Sequence, residues 1–379
     1  MAFALFKYFP YGGLQRDFLQ VARLALAQGY RVRVYTLSWE AELDDALARD
    51  PAFHLELPAV PGVLNHVRYR QFAAAMAEHL ARFPVDCVIG FNKMPGLDAY
   101  YAADACYEEK AQALRPAYYR RTSRYRLFSE FERAVFAAEA KTRIFLITQT
   151  QREEFVRHYV TPSERMSLLP PSVGADRRRG EDWQTVRAAF RRDFGYADDA
   201  LLLLQVGSGF VTKGVDRTIL ALAALPPALR ERCRLIVVGQ DNARTFESLA
   251  DESGVGDKLQ IFSGRDDIPR FLQGADLMVH PAVLESGGIV LLEALIAGLP
   301  VITTASCGFS HYVTEAGGGE VLPEPFAQGA LDARVAALLE DPALRERYSQ
   351  AGLAFANEAN RFNMPEQFLA GIEEHFFAC

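Results

Sequence analysis

The segment Leu277-Met278-Val279-His280-Pro281-Ala282-Val283-Leu284-Glu285-Ser286-Gly287-Gly288-Ile289-Val290-Leu291-Leu292-Glu293-Ala294-Leu295-Ile296-Ala297-Gly298-Leu299-Pro300 decides the fold class of this chain. Its apolar opening, with Ala275 just before it, reads as a buried strand. A Ser286-Gly287-Gly288 turn and the first turns of an apolar helix follow. The turn therefore lies at the carboxyl end of a strand, where open α/β sheets bind ligands. Glycines at a helix start bare backbone N–H groups to an anion, and the helix dipole favours negative charge there. Glu285 and Glu293 stand eight positions apart. Along a helix that spacing spans about 12 Å at ~1.5 Å per residue, so the two carboxylates are expected to meet opposite ends of a diphosphate-linked ligand. Glu293 lies in an almost wholly apolar run, Ile289 to Ile296, where a carboxylate costs energy unless it is paired. The competing reading makes Glu285 a dipole-complementing residue and Glu293 a solvated one.

The same grammar runs outward in both directions. Residues 1–9 read as an apolar strand, Pro10-Tyr11-Gly12-Gly13 as the turn after it, and 14–28 as a helix with Phe18, Val21, Ala22, Leu24, Ala25 and Leu26 at helical spacing. Gly29 ends that helix and Val32 begins the next strand. Further strands are expected at 87–91 and 144–147, with 168–171 closing the half and 172–180 as a linker. The second half repeats the pattern, with strands at 201–206, 235–238, 259–262, 277–279 and 301–303 and a helix at 214–224. Two such blocks predict an α/β protein of two Rossmann-like, doubly wound parallel-sheet domains, 1–171 and 172–360.

Composition narrows the function classes. At 379 residues the chain is long enough for two ordinary domains, and its 50% hydrophobic content is globular rather than disordered. A formal net charge of −7 argues against a general nucleic-acid binder. Cys87, Cys106, Cys233, Cys307 and Cys379 have no metal-ligand spacing and are expected to be free thiols, four of them buried. No secretory leader is recognisable and the apolar runs are too short and interrupted to span a bilayer, so a cytoplasmic location is expected.

The order of these motifs resembles the retaining glycosyltransferases of family 4, which have the GT-B architecture of two Rossmann-like domains facing across a cleft. Glu285 and Glu293 fit that family's paired-glutamate signature, continued by Ala294, Gly298, Pro300 and Val301. Phe9 to Asp17 and Gly90 to Asp98, together with Gln205-Val206-Gly207-Ser208 and Lys213 to Arg217, are similar to the α-1,3-glucosyltransferases of lipopolysaccharide core assembly. That resemblance covers essentially the whole chain. It implies that a helix near 361–379 crosses back to the first, acceptor-binding domain, and that the second domain binds the nucleotide-sugar. It also implies transfer of a hexose from a UDP-sugar to a phosphorylated inner-core heptose, without a metal or other cofactor, at the cytoplasmic face of the inner membrane.

The resemblance gives each element a task. Gly12 and Gly13 let backbone approach the donor. Lys213, beside Gly207, Ser208 and Thr212, neutralises the diphosphate in place of a metal. Arg265 and Ile268 border the uracil. Glu285 with Ser286, Gly287 and Gly288 holds donor-sugar hydroxyls, the Ile289 and Val290 amides meet phosphate, and Glu293 accepts from the ribose. No Asp-x-Asp triplet is present, and Asp266-Asp267 is expected to start a helix at Ile268. Many family members carry Arg-Lys at the phosphate loop where this chain has Thr212-Lys213, so one cationic donor is missing there. The small Ser286 to Gly288 run leaves room beside the sugar, which keeps UDP-glucose and a UDP-N-acetylhexosamine such as UDP-GalNAc both open. Asp17 and Asp98 are expected on the acceptor side as catalytic candidates, and Lys93 beside a heptose phosphate. A structural, hydrogen-bonded role is expected for His280, and His311 is a candidate to line the cleft.

Between Lys110 and Arg133 the sequence concentrates Arg115, Arg120, Arg121, Arg124 and Arg126 among Tyr118, Tyr119, Tyr125 and Phe128. In an acidic protein this predicts a surface for anionic lipid or phosphorylated lipopolysaccharide, against a simple solvated helix face. Arg177-Arg178-Arg179 is read only as linker. Two rival functions remain at this stage. A dinucleotide-dependent oxidoreductase shares the glycine turns, but Gly207-x-Gly209 lacks the third glycine. A non-catalytic lipid-surface scaffold would keep the fold without turnover.

Overall fold

Period-two alternation in the first strand separates two cores. In β1 (Ala2–Ala4), Phe3 points into one hydrophobic cluster while Ala2 and Ala4 point into another on the opposite face of the sheet. The structure is a computed structural model of the 379-residue chain, and it describes residues 1–10, 12–40, 45–357 and 362–377. Tyr11 and Cys379 lie outside the described residues. The chain divides into two compact units, Met1–Ser172 with Phe362–Cys379, and Val173–Arg361.

In the first unit, β2 (Val32–Tyr35), β3 (Phe53–Glu56), β4 (Val88–Gly90), β5 (Ala99–Ala102), β6 (Arg143–Leu146) and β7 (Met166–Leu168) join β1 in a seven-stranded sheet of order β3-β2-β1-β4-β5-β6-β7. Every pairing is parallel. The expected strand at 1–9 is shorter, because the Phe6 N–H leaves the ladder to donate to Asn92 Oδ1 at 2.7 Å. One core gathers Phe18, Val21, Ala22 and Ala25 of the helix Gly13–Ala27 with Met364, Phe368, Leu369 and Ile372 of the helix Met364–Phe376. The C-terminal helix thus belongs to the first unit. Phe368 meets Phe145 edge-on at 4.7 Å between ring centroids, and Tyr30 donates to Glu373 at 2.8 Å. The opposite core packs Leu127, Phe131, Val135 and Phe136 of the helix Ser123–Phe136 against Tyr100, Ile144 and Phe155.

The second unit holds β8 (Leu201–Val206), β9 (Cys233–Val238), β10 (Leu259–Phe262), β11 (Leu277–His280), β12 (Val301–Thr304) and β13 (Gly319–Leu322), ordered β10-β9-β8-β11-β12-β13. All its pairings are parallel as well. Strands buried on both faces read as continuous apolar runs, which is why Leu201-Leu202-Leu203-Leu204 shows no alternation. In each sheet the strand order reverses beside the first strand of the unit: between β1 and β4, and between β8 and β11. Loops on either side of such a switch point diverge and leave a crevice at the strand carboxyl ends.

The expected linker at 172–180 is not a solvated tether. Arg179 donates to Ala297 O and Gly298 O, both at 2.9 Å, and stacks over Trp183 at 4.4 Å. A guanidinium there satisfies carbonyls that the end of a helix leaves without intrahelical partners. Arg178 donates to Ala356 O at 2.6 Å. Cys87, Cys106, Cys233 and Cys307 are buried free thiols. Among the described residues no helix is long and apolar enough to cross a membrane.

Candidate functional site

The switch point of the second unit brings together the loops after β8 and β11. The β8 loop turns through Gly207 to Gly209 into a one-turn helix, Phe210–Lys213, that buries Phe210. Asp241, from the loop after β9, accepts from the Phe210 N–H at 2.8 Å, and the Gln240 N–H donates to Ser208 Oγ at 3.0 Å. The Thr212 hydroxyl donates back into its own turn at Gly209 O, 2.8 Å away, while Thr212 O accepts the Val283 N–H at 2.8 Å. Gly214 is required at the join. Its φ is +68°, and a Cβ there would fall 2.2 Å from Pro281 O in the β11 loop.

The β11 loop carries Glu285 to Gly288, and the loop after β12 holds it in place. The Gly308 N–H donates to Glu285 O at 2.9 Å and the Phe309 N–H to Gly287 O at 2.7 Å. Gly288, at φ +88°, has Cys307 Sγ 2.4 Å from where its Cβ would be. The helix Ile289–Ile296 begins only after it and has no side-chain cap. This corrects the expectation of two carboxylates spaced along one helix. The left-handed glycine breaks the helical path, so only Glu293 rides on the helix and Glu285 projects from the loop. Without a side-chain cap, the first amides of that helix are among those an α-helix leaves without intrahelical partners.

Two groups, Lys213 and His280, converge on the Glu285 carboxylate. Lys213 Nζ forms an ion pair with Glu285 Oε2. His280 Nε2 lies 3.7 Å from the same oxygen. His280 is 1% exposed, and neither ring nitrogen has a hydrogen-bond partner among the described residues, which corrects the expected hydrogen-bonded role. Burial first, and the Lys213 charge second, push its pKa down to about 3, so the imidazole is neutral at ordinary pH. One helical turn deeper, Glu293 Oε1 faces Arg177 Nε at 3.3 Å, with side chains 5% and 11% exposed respectively. The sequence reading passed over Arg177 as linker. It supplies the counter-charge that the apolar surround of Glu293 demanded.

On the other side of β8, Arg265 is clamped by a bidentate pair with Asp267, at 2.6 and 2.9 Å. Its guanidinium also lies 5.2 Å from the Phe271 ring. Asp267 precedes the helix Ile268–Gly274 as expected but makes no capping bond, because its carboxylate is committed to Arg265. That hydrogen bond holds the Asp267 pKa below the usual carboxylate value. Ile268 is buried, and His311 bonds locally to Gly308 O at 3.0 Å.

In the first unit, Gly12 caps the helix Gly13–Ala27, and a Cβ on it would collide with the Gln15 side chain. A Cβ at Gly13 would meet nothing within 4 Å. Asp17 accepts from the Tyr101 hydroxyl at 2.7 Å, near the carboxyl end of β5. Two acceptor-side expectations fail. Asp98 sits at the amino end of the sheet, where its carboxylate accepts the Val88 N–H at 2.8 Å and ties β4 to β5. Asp276 does the same in the second unit, accepting the Leu202 N–H at 2.8 Å. Both are therefore sheet-pairing residues, remote from the strand ends that bind ligands.

Lys93 does not face an acceptor phosphate either. It is buried against Glu132 at 2.7 Å and donates to Ala105 O at 2.6 Å. Glu132 also accepts the Tyr107 and Glu108 N–H groups at 2.7 and 3.0 Å and the Tyr159 hydroxyl at 2.7 Å. A buried carboxylate thus anchors the start of the helix Tyr107–Leu114, below the basic segment. Burial is the largest single influence on the Lys93 pKa and lowers it, but the charges of Glu132 and Asp104 and the hydrogen bond to Glu132 together leave the value raised. Arg115, Arg120, Arg121, Arg124 and Arg126 are all exposed, and Tyr118 beside them is 71% exposed. Arg120 reaches Glu108 at 3.3 Å, and Arg124 lies over Phe128 at 5.3 Å.

Residues 186–354 match the family model of glycosyl transferases group 1. The chain is 45% identical over 367 residues to the lipopolysaccharide glucosyltransferase WaaG of Escherichia coli (strain K12), covering 97% of this chain and 96% of that one. The crystal structure of WaaG, a glycosyltransferase involved in lipopolysaccharide biosynthesis, superposes with a TM-score of 0.93 at 44% identity over 98% of this chain and 99% of the other. Anabaena Alr3699/HepE in complex with UDP-glucose shares the fold alone, with a TM-score of 0.76 at 16% identity, covering 98% and 99% of the two chains. The two parallel-sheet α/β units therefore make a GT-B-like fold. With its fold and nearly its full length shared with a lipopolysaccharide glucosyltransferase, this chain belongs to the group 1 glycosyl transferases.

Proposed function

We propose that the protein transfers a hexose from a UDP-sugar to an inner-core heptose of lipopolysaccharide in α-1,3 linkage, with retention and without a metal. The observation that carries this reading is the meeting of Lys213 and Glu285 at the β8/β11 switch point, beside the uncapped start of the helix Ile289–Ile296. A cation and helix amides suit a diphosphate, and an adjacent carboxylate suits sugar hydroxyls. Arg265, held in orientation by its bidentate pair with Asp267, offers a planar edge for the uracil. Glu293, oriented by Arg177, accepts from the ribose hydroxyls. In the first unit, Gly13 and Asp17 remain the candidates for contact with donor and acceptor.

Chemistry on this scaffold needs no enzymic nucleophile. The bond between the sugar's anomeric carbon and the β-phosphate oxygen breaks, and UDP departs with the electron pair. The acceptor hydroxyl attacks from the same face and passes its proton to the departing phosphate. Lys213 and the helix amides stabilise the charge growing on UDP. The exposed arginines from Arg115 to Arg126 are proposed to hold the protein on an anionic membrane surface, where a lipid-borne acceptor lies.

A donor panel tests the reading. UDP-glucose, UDP-galactose, UDP-N-acetylglucosamine and UDP-GalNAc are each offered with a heptose-terminated lipopolysaccharide in the presence of a chelator. Transfer from one of the UDP-sugars with chelator present is expected, as is salt-sensitive binding to anionic vesicles. Binding of NAD in place of UDP would overturn the reading in favour of an oxidoreductase. Binding of UDP without any transfer would favour a scaffold.

A further inference from the structure

We infer that His280 is a positioning residue for Glu285, taking over the carboxylate when the donor's diphosphate draws Lys213 away from it. The inference rests on the UDP-sugar reading above and assigns a new residue to that site.

His280 ends β11, and its carbonyl is fully used by the Thr303 hydroxyl at 3.0 Å and the Ala282 N–H at 2.9 Å. Its ring has no such explanation. Both nitrogens are buried and lack a hydrogen bond among the described residues. Each such group costs about 1–3 kcal/mol, which a phenylalanine or leucine would avoid. The ring's nearest charged acceptor is Glu285 Oε2, 3.7 Å from Nε2 and therefore just beyond hydrogen-bond range. Lys213 holds that same oxygen. One carboxylate oxygen has two claimants, and the lysine has the closer hold on it.

Donor binding changes the competition. A diphosphate carries more negative charge than one carboxylate and so draws Lys213 toward itself. Glu285 then needs a second donor to keep its oxygen aimed at the sugar. A charged partner would compete with the diphosphate for position, whereas a neutral N–H does not. The imidazole is neutral here, and the Nε2–H tautomer donates to Oε2 after a shift of less than 1 Å, since N–H···O bonds run to about 3.2 Å. Lys213, Glu285 and His280 thus form an exchange set. In one arrangement lysine and glutamate neutralise each other. In the other, lysine serves the diphosphate and histidine serves the glutamate.

The test uses the full chain with His280→Phe, His280→Gln and His280→Asn. UDP affinity is read by calorimetry, with kcat and KM measured for the preferred UDP-sugar. Glutamine can place its amide N–H near the Nε2 position and asparagine near the Nδ1 position. Affinity for UDP is expected to stay within about twofold in all three. The kcat is expected to fall about 10-fold or more in His280→Phe and His280→Asn, the loss of one hydrogen bond to a charged group, and to recover in His280→Gln. Should His280→Phe fail to fold, the Gln and Asn pair decides, and equal kcat in the two overturns the inference. Parallel loss of UDP affinity and kcat would also overturn it, since that marks a packing role. If the unaltered protein neither binds UDP nor transfers from any UDP-sugar, the functional reading itself fails. If it is active and the variants match it, only the role of His280 fails.

Discussion

Replacing Arg177 with methionine removes the counter-charge of Glu293 while keeping a side chain of comparable reach. The two groups lie 3.3 Å apart with little exposure on either side. At an effective dielectric of about 20 their gross attraction is about 5 kcal/mol. Desolvation of both ions offsets much of that, and removing one member of a buried pair typically costs about 3–5 kcal/mol. Arg177 also leans on Asp176, at 3.3 Å, and that aspartate is largely solvated. The lower end, about 3 kcal/mol, is therefore expected for Arg177→Met. In a domain of this size about 1 kcal/mol moves Tm by ~2–4 °C, so calorimetry is expected to show a fall of about 6–12 °C in the second unit's transition. Glu293→Gln is expected to cost less, since Arg177 retains Asp176. The double variant is expected to lose at least about 1 kcal/mol less than the sum of the two singles, as contacting residues do. Strict additivity, or an unchanged Tm in Arg177→Met, would refute the pairing and with it the account of how a carboxylate survives in that apolar helix.

Three further outcomes follow from the same geometry. Gly288→Ala places a methyl in a left-handed backbone, costing about 1–2 kcal/mol, and drives it against Cys307 Sγ. Transfer activity is expected to fall even where Tm shows the protein still folded, and Cys307→Ala is expected to restore part of it; an activity equal to the parent's would contradict the loop geometry. His280, with a folded-state pKa near 3 against an ordinary 6.5, binds a proton on unfolding. Stability is then fully present above about pH 6.5 and is lost as pH falls toward 3, at up to about 1.4 kcal/mol per pH unit. Urea titrations across that range are expected to show a shallower pH slope in His280→Gln, and an identical slope would count against a buried neutral imidazole. Lys93→Met leaves Glu132 buried without its cation and is expected to destabilise the first unit by about 3–5 kcal/mol. Binding to anionic vesicles is expected to weaken along with it, as the base of the basic segment loosens; a stability equal to the parent's would show that the pair is unimportant.

Sheet strands with unbroken apolar runs were readable from sequence. Leu201–Val206 falls where its apolar run placed it, because burial on both faces leaves a continuous signal; Leu259–Phe262 also falls where the sequence placed it, although it is a partly exposed edge strand. Ala99–Ala102 escaped that reading, since two alanines and two tyrosines make a weak apolar run bounded by no turn signal on its far side. At the site, the identity of Glu285, Glu293 and Lys213 was legible, but their partners were not. Arg177 meets Glu293 only after the fold brings distant segments together, and nothing local separates it from Arg178 and Arg179. Asp98 and Lys93 misled for a related reason. Both flank a strand-end loop in sequence, yet one returns to the amino end of the sheet and the other turns inward to a buried glutamate.

On the proposed function, Glu285, paired with Lys213 and with His280 close by, positions the sugar of a UDP-linked donor. The most direct test follows hexose transfer from the preferred UDP-sugar onto heptose-terminated lipopolysaccharide, comparing the unaltered protein with Glu285→Gln and reading the anomeric configuration of the product by NMR. An α-linked product is expected from the unaltered protein, with a loss of about 100-fold or more in kcat for Glu285→Gln and UDP still bound. A β-linked product, or undiminished transfer by Glu285→Gln, would contradict the proposed function.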